Sequence, residues 1–141
     1  MKLKQLSVFL ENRPGQLEVP ISALAGAGLN IITVTLADTA EFGILRLLLP
    51  DWQRAREVLE AAGCVVNVAE VVGVDLEHRP GALERLLVLL DAAGINIEYM
   101  YALAGTRGDC ACMVMRFDDP DCAVLLLQQA GFHVVGEDEL T

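Results

Sequence analysis

Residues 11–17 read ENRPGQL, and residues 77–83 read EHRPGAL. The two stretches lie 66 positions apart and share five letters of seven. Pro followed by Gly breaks both strand and helix, so each copy is a loop. Working outward at the same offset, AGLNI (27–31) falls on AGINI (93–97). Farther on the offset grows to 68, where EAAGCVV (60–66) falls on QQAGFHV (128–134) and Gly63 meets Gly131. The two extra residues enter where ADTAEF becomes ALAGTRGD, as a hairpin tip tolerates. Four punctuation points in one order mark a tandem repeat of about 68 residues, each copy close to the smallest unit that folds alone.

Each copy spells the same elements. A strand at residues 6–11 places Leu6, Val8 and Leu10 on one face, matched by Val72, Val74 and Leu76. After the loop, Leu17, Ile21 and Leu24 recur at helical spacing, as do Leu83, Leu87 and Leu90. Gly28 and Gly94 end these helices. Second strands are expected from Asn30 and Asn96. Third strands carry Leu45, Leu47 and Leu49 or Met113, Met115 and Phe117 on one face, with Arg46 or Arg116 on the other. Second helices are expected near 51–62 and 121–130, then a closing strand. Pro20 inside the first helix predicts a kink or a late start. The order βαββαβ, twice, predicts an α+β protein of two ferredoxin-like units, each a four-stranded antiparallel sheet with helices on one face. The units are assigned to residues 1–70 and 71–141. No linker separates them, so CVVNVAEVVGVDL must hold two strands, with a bend expected near Glu70 or Gly73.

Composition excludes several functions. The net charge of −10 opposes phosphate backbones, and no basic stripe appears, so nucleic acid is not an expected partner. No apolar run approaches the ~20 residues that span a bilayer, and the N-terminus lacks the long apolar region of a signal peptide. A cytoplasmic protein without membrane contact is expected. Cys64, Cys110, Cys112 and Cys122 form no C-x-x-C and have no His nearby in sequence. They read as small buried residues rather than a metal site or a disulfide. No cofactor is expected.

The repeated loop has a chemistry. Gly15 and Gly81 let a ligand approach the backbone, and the N–H groups of a helix N-terminus lie just beyond. Asn30 and Asn96 can donate and accept. Donors for a carboxylate beside an acceptor for an ammonium suit a free L-amino acid. At these residues the sequence resembles the ACT domain, a regulatory unit of amino-acid metabolism. The motifs are similar to those of the serine-sensing end of phosphoglycerate dehydrogenase and of the acetolactate synthase regulatory subunit. The resemblance implies that ACT units pair sheet edge to sheet edge. It also implies an effector in the seam, between the Pro-Gly loop of one unit and the start of strand two of another. Asn12, Asn30 and Asn96 match family ligand positions, and His78 stands where the first copy has Asn12. The ligand-binding set is therefore Leu10, Asn12, Arg13, Pro14, Gly15, Gln16, Leu17, Asn30 and Ile31, with Leu76, His78, Arg79, Pro80, Gly81, Ala82, Leu83, Asn96 and Ile97. The serine-sensing pattern has a His where Leu10 and Leu76 stand, which directs the expectation to a branched-chain, aromatic or His ligand.

The competing reading is an acylphosphatase-like hydrolase on the same fold. Its Gly-rich phosphate cradle is missing from both copies, and neither His78 nor His133 has a Ser or Cys in a motif beside it. A metal chaperone of this fold would carry Cys in the first loop, and neither loop does. The expectation is an allosteric sensor without catalysis of its own, acting on a partner enzyme in trans. In the second copy, Leu86, Val88 and Leu89 exceed the stripe that Leu83, Leu87 and Leu90 provide. Ile44, Leu48, Cys112 and Val114 point to the sheet face away from the helices. These surplus apolar residues predict a homodimer.

Overall fold

The computed structural model describes residues 1–38, 41–104 and 107–140. The tips of both hairpins, where the two-residue insertion falls, lie partly outside them. The elements run β1 (Leu3–Glu11), α1 (Glu18–Gly26), β2 (Thr33–Asp38), β3 (Phe42–Leu48), α2 (Trp52–Ala61), β4 (Val65–Glu77), α3 (Ala82–Ala92), β5 (Ile97–Ala104), β6 (Cys110–Phe117), α4 (Pro120–Gln129) and β7 (His133–Val135). A 3-10 turn at Glu137–Leu140 follows. Two compact units emerge: Lys4–Ala69, and Met1–Leu3 together with Glu70–Thr141. The two strands expected in CVVNVAEVVGVDL are one strand, β4, with no break at Glu70 or Gly73. Residues Val65–Glu77 keep extended backbone throughout.

In the N-terminal unit β3 pairs antiparallel with both β1 and β2, and β4 lies beside β1. In the C-terminal unit β6 pairs antiparallel with β4 and β5, and β7 pairs with β4. Each sheet repeats one order, and each is the α+β, ferredoxin-like solution. The first core joins Leu6, Val8 and Leu10 to Leu45, Leu47, Leu24 and Leu59. The second joins Val72, Val74 and Leu76 to Met115, Phe117, Leu86, Leu90 and Leu127. Burying each such side chain contributes about 1.5–3 kcal/mol.

The four α-helices among the described residues end alike. Leu29 N–H donates to Leu24 and Gly28 N–H to Ala25, with Gly28 at φ 71°, and the same two bonds recur after Gly63, Gly94 and Gly131. This is the left-handed glycine cap with its hydrophobic closing contact. Asp51 and Asp119, 68 positions apart, cap the second helices by accepting from the backbone N–H groups of Arg54 and Cys122.

Helix faces correct the sequence reading. The residues of α3 that reach the core are Leu86 and Leu90, with Leu83 and Leu89 partly buried against them. Leu87 is only half-buried, and of the three surplus residues Val88 alone is exposed. Pro20, which overlies Leu86 in the repeat, is likewise buried. It is the third residue of α1, where no intrahelical acceptor is available to its nitrogen, so the helix starts late and loses no bond. The open sheet face also differs from expectation: Leu48, Cys112 and Val114 are buried within the chain, and Ile44 is half-buried. In the C-terminal unit Leu3 and Val135 crowd this face above Gly73 and Cys112.

Candidate functional site

The two Pro-Gly loops share three backbone hydrogen bonds, and they differ in that Gly81 also caps its helix, accepting from Arg85 N–H (3.0 Å), whereas α1 is capped at Leu17. The residue after each strand donates across the sheet end, Asn12 N–H to Glu41 (3.1 Å) and His78 N–H to Asp109 (2.9 Å). Arg13 and Arg79 N–H donate back to Glu11 and Glu77, each at 2.9 Å. Gln16 and Ala82 N–H close the turn on Arg13 and Arg79, each at 3.4 Å. Gly15 and Gly81 sit at φ 89° and 86°, and a Cβ on either would meet no other group within 4 Å. These glycines are required by backbone sign, not by crowding. Both arginines fold back onto the preceding acid: Arg13 Nε lies 2.9 Å from Glu11, and Arg79 Nε 2.7 Å from Glu77.

Around this frame the predicted residues fall in different settings. Asn12, Arg13, Pro14, Gly15 and Leu17 are exposed in the first loop, with Gln16 half-buried, and Leu10 closes the core beneath. Asn30 is exposed after the α1 cap, and Ile31 packs partly against the same core. Strand β2 begins at Thr33, three residues beyond the expected start at Asn30. In the second copy Leu76, His78, Arg79, Pro80, Ala82 and Leu83 meet around a cavity of about 320 Å³ floored by Ala111 and Met113. Asn96 and Ile97 do not reach it. They share a separate groove with Leu83, Leu87, Val88 and Ile95, between α3 and the start of β5. Asn96 is held by reciprocal bonds, its N–H to the Asp118 carboxylate (3.1 Å) and its carbonyl from Asp118 N–H (3.3 Å). Gly81 borders a third cavity, of about 390 Å³, together with Arg79 and Pro80.

That third cavity is walled by residues the sequence reading did not single out: Arg85 of α3, Arg107 before β6, and Phe132 and His133 at β7. The Arg85 guanidinium lies over the Phe132 ring, 4.9 Å from its centroid. His133 Nε2 contacts the Glu139 carboxylate at 2.6 Å. The Gly136 N–H, and then His133, hold the Glu139 carboxyl below its ordinary range. The available signal was a mismatch within the repeat, because these positions carry Val19, Thr39, Cys64 and Val65 in the first copy.

The cysteines are all free. Burial, and then the Asp75 carboxylate, push the Cys112 thiol up to about 12, which leaves it an inert packing group. Among the described residues no group of three or more His, Cys, Asp or Glu could hold a metal ion, and no helix is long and apolar enough to cross a membrane.

Paired βαββαβ units with such a loop at each helix entrance define a class of small regulatory modules. A family model, the ACT domain pair, matches residues 1–141, and the chain belongs to that family of ligand-binding regulatory domains of amino-acid metabolism. It is similar to protein BT0572 of Bacteroides thetaiotaomicron, at 35% identity and TM-score 0.92, covering 99% of this chain and 96% of that one. It also shares its fold with the ligand-free regulatory subunit of aspartate kinase from Thermus thermophilus, at 16% identity and TM-score 0.61, over 91% of each chain. The corresponding subunit from Thermus flavus gives 18% identity and TM-score 0.55, over 91% of this chain and 93% of that one. No curated protein matches the chain. Nothing in these comparisons supports the hydrolase alternative.

Proposed function

We propose that this ACT domain pair is a cytoplasmic sensor that binds a free L-amino acid and regulates a partner enzyme in trans, without catalysis of its own. The observation that carries the reading is the duplicated loop: two stretches 66 positions apart form the same three backbone hydrogen bonds at two helix entrances. The ligand carboxylate meets the backbone N–H groups beyond Gly15 or Gly81, and Asn12, Asn30 and Asn96 contribute polar contacts. The seam implied by the family lies between one unit's loop and the start of strand two of another. Leu10 and Leu76 direct the side-chain preference toward a branched-chain, aromatic or His ligand. A thermal-shift series over the twenty amino acids tests this. At least one should raise the Tm at millimolar concentration, because a ligand of the folded state stabilises it. Asn12→Ala, Asn30→Ala or Asn96→Ala should reduce the shift. A flat response to all twenty would end the proposal.

The assembly proposed is a homodimer. The buried Leu86, Leu48, Cys112 and Val114 no longer argue for it. Its support is the apolar surface on the edge strands: Val34 and Leu36 on β2 and Met100 on β5 are exposed, and Val88 stands out from α3. Edge strands with uncovered apolar side chains invite pairing. Light scattering at micromolar concentration should give twice the chain mass, and a mass of 15.2 kDa would contradict it.

A further inference from the structure

The two copies agree at their loops but have diverged beside them. In the second copy Asp75, Arg85, Arg107 and His133 border the 390 Å³ cavity. The first copy has Phe9, Val19, Thr39 and Val65 at those positions. Position 39 lies outside the described residues, and Phe9, Val19 and Val65 are all exposed. A charged wall has thus been built, or kept, in one unit only.

The charges of that wall do not cancel one another. Arg79 is answered by Glu77, and His133 by Glu139. Asp75 is buried and already partnered within the fold. Arg85 and Arg107 have no carboxylate within ion-pair distance among the described residues. Arg85 is held in place by its stack on Phe132. In a chain of net charge −10, two guanidinium groups outside any described ion pair face one cavity, and the Arg107 charge acts only at longer range on the Glu139 carboxylate. Their planar forks match the oxygens of carboxylate and phosphate.

We propose that this cavity is a second binding site, found only in the C-terminal unit, for a small organic anion bearing a carboxylate or phosphate group. Arg85 and Arg107 grip the anion, and Phe132 provides the apolar wall. It adjoins the Pro-Gly loop, sharing Leu76, Arg79, Pro80, Gly81 and Ala82 with it, but its grip comes from Arg85 and Arg107, which the amino-acid contacts do not use.

Inorganic phosphate and succinate serve as probes, each titrated against sodium chloride at matched ionic strength, with backbone amide shifts as the readout. One of the two should give saturating shifts at Gly81, Ala82 and Phe132, and which one responds tells phosphate from carboxylate. R85Q/R107Q should weaken that binding at least about tenfold, the loss expected for charge-assisted hydrogen bonds. V19Q, the matched position of the first copy, should leave it unchanged. Any amino acid found in the thermal-shift series should stabilise R85Q/R107Q as much as the parent. The proposal fails if neither probe shifts these amides, if the double variant binds as the parent does, or if amino-acid stabilisation is lost with the arginines.

Discussion

Replacing Leu86 by Ala should destabilise the C-terminal unit by about 2–5 kcal/mol, the range for emptying a closed core position. Val88→Ala, two residues away on the same helix, should change stability by no more than about 0.5 kcal/mol. The contrast follows from placement: Leu86 is 0% exposed and Val88 62% exposed. Both are branched aliphatic residues in a run that is apolar on every side, so composition does not separate them. Urea unfolding followed by circular dichroism measures both, with the midpoint of the transition as the comparison. Equal losses would mean that α3 presents a different face to the sheet, and near-equal indifference would mean that its core can collapse around a missing side chain.

The same helix shows where the sequence was readable and where it was not. Punctuation was readable because it is local. The Pro-Gly loops and the cap glycines at 28 and 94 each follow from backbone chemistry within four or five residues. Strand alternation was also readable, since Leu6, Val8 and Leu10 have one way to share a face. The phase of α3 was not, because Leu83, Leu86, Leu87, Leu89 and Leu90 offer two stripes of helical spacing, and only the sheet beneath chooses between them. Pro20 held the missing information. It overlies Leu86, and a proline kept at a helix entrance and buried there marks the inward face. Strand β4 misled for a related reason. Extended backbone through the run was correctly inferred, but it is one strand and not two, because Glu70 and Gly73 suggest a bend only if the chain must turn and extended backbone accommodates both. The geometry of the Pro-Gly loops was legible from repetition itself. The arginine-lined cavity was not, because Arg85, Arg107, Phe132 and His133 are scattered over 49 positions. Their convergence is a product of the fold, and only their failure to repeat set them apart.

Gly73→Val should destabilise the C-terminal unit by about 1–3 kcal/mol, the usual penalty for overpacking a filled interior. Gly73 is in the middle of β4, paired with Val114 on one side and Val135 on the other. A Cβ there would lie 3.2 Å from Cys112 Sγ, 3.2 Å from Leu3 Cδ1 and 3.4 Å from Val135 Cβ. The matched residue of the first copy is Ser7, so the repeat itself does not demand glycine. What demands it is the N-terminal segment, because Leu3 is 1% exposed and seats on this face. Lys2 fastens the same segment through Glu70 at 3.0 Å and Asp121 at 2.8 Å. If the close approach of Leu3 is the cause, the two positions must be coupled. Leu3→Ala alone empties a buried site and destabilises, but in a Gly73→Val background it also relieves the clash. The double variant should therefore be more stable than the sum of the single losses predicts, by at least about 0.5 kcal/mol, as expected for residues in contact. Strict additivity would show that the added methyls are resisted by Cys112 and Val135 alone, and that Met1–Leu3 is not what holds position 73 to glycine.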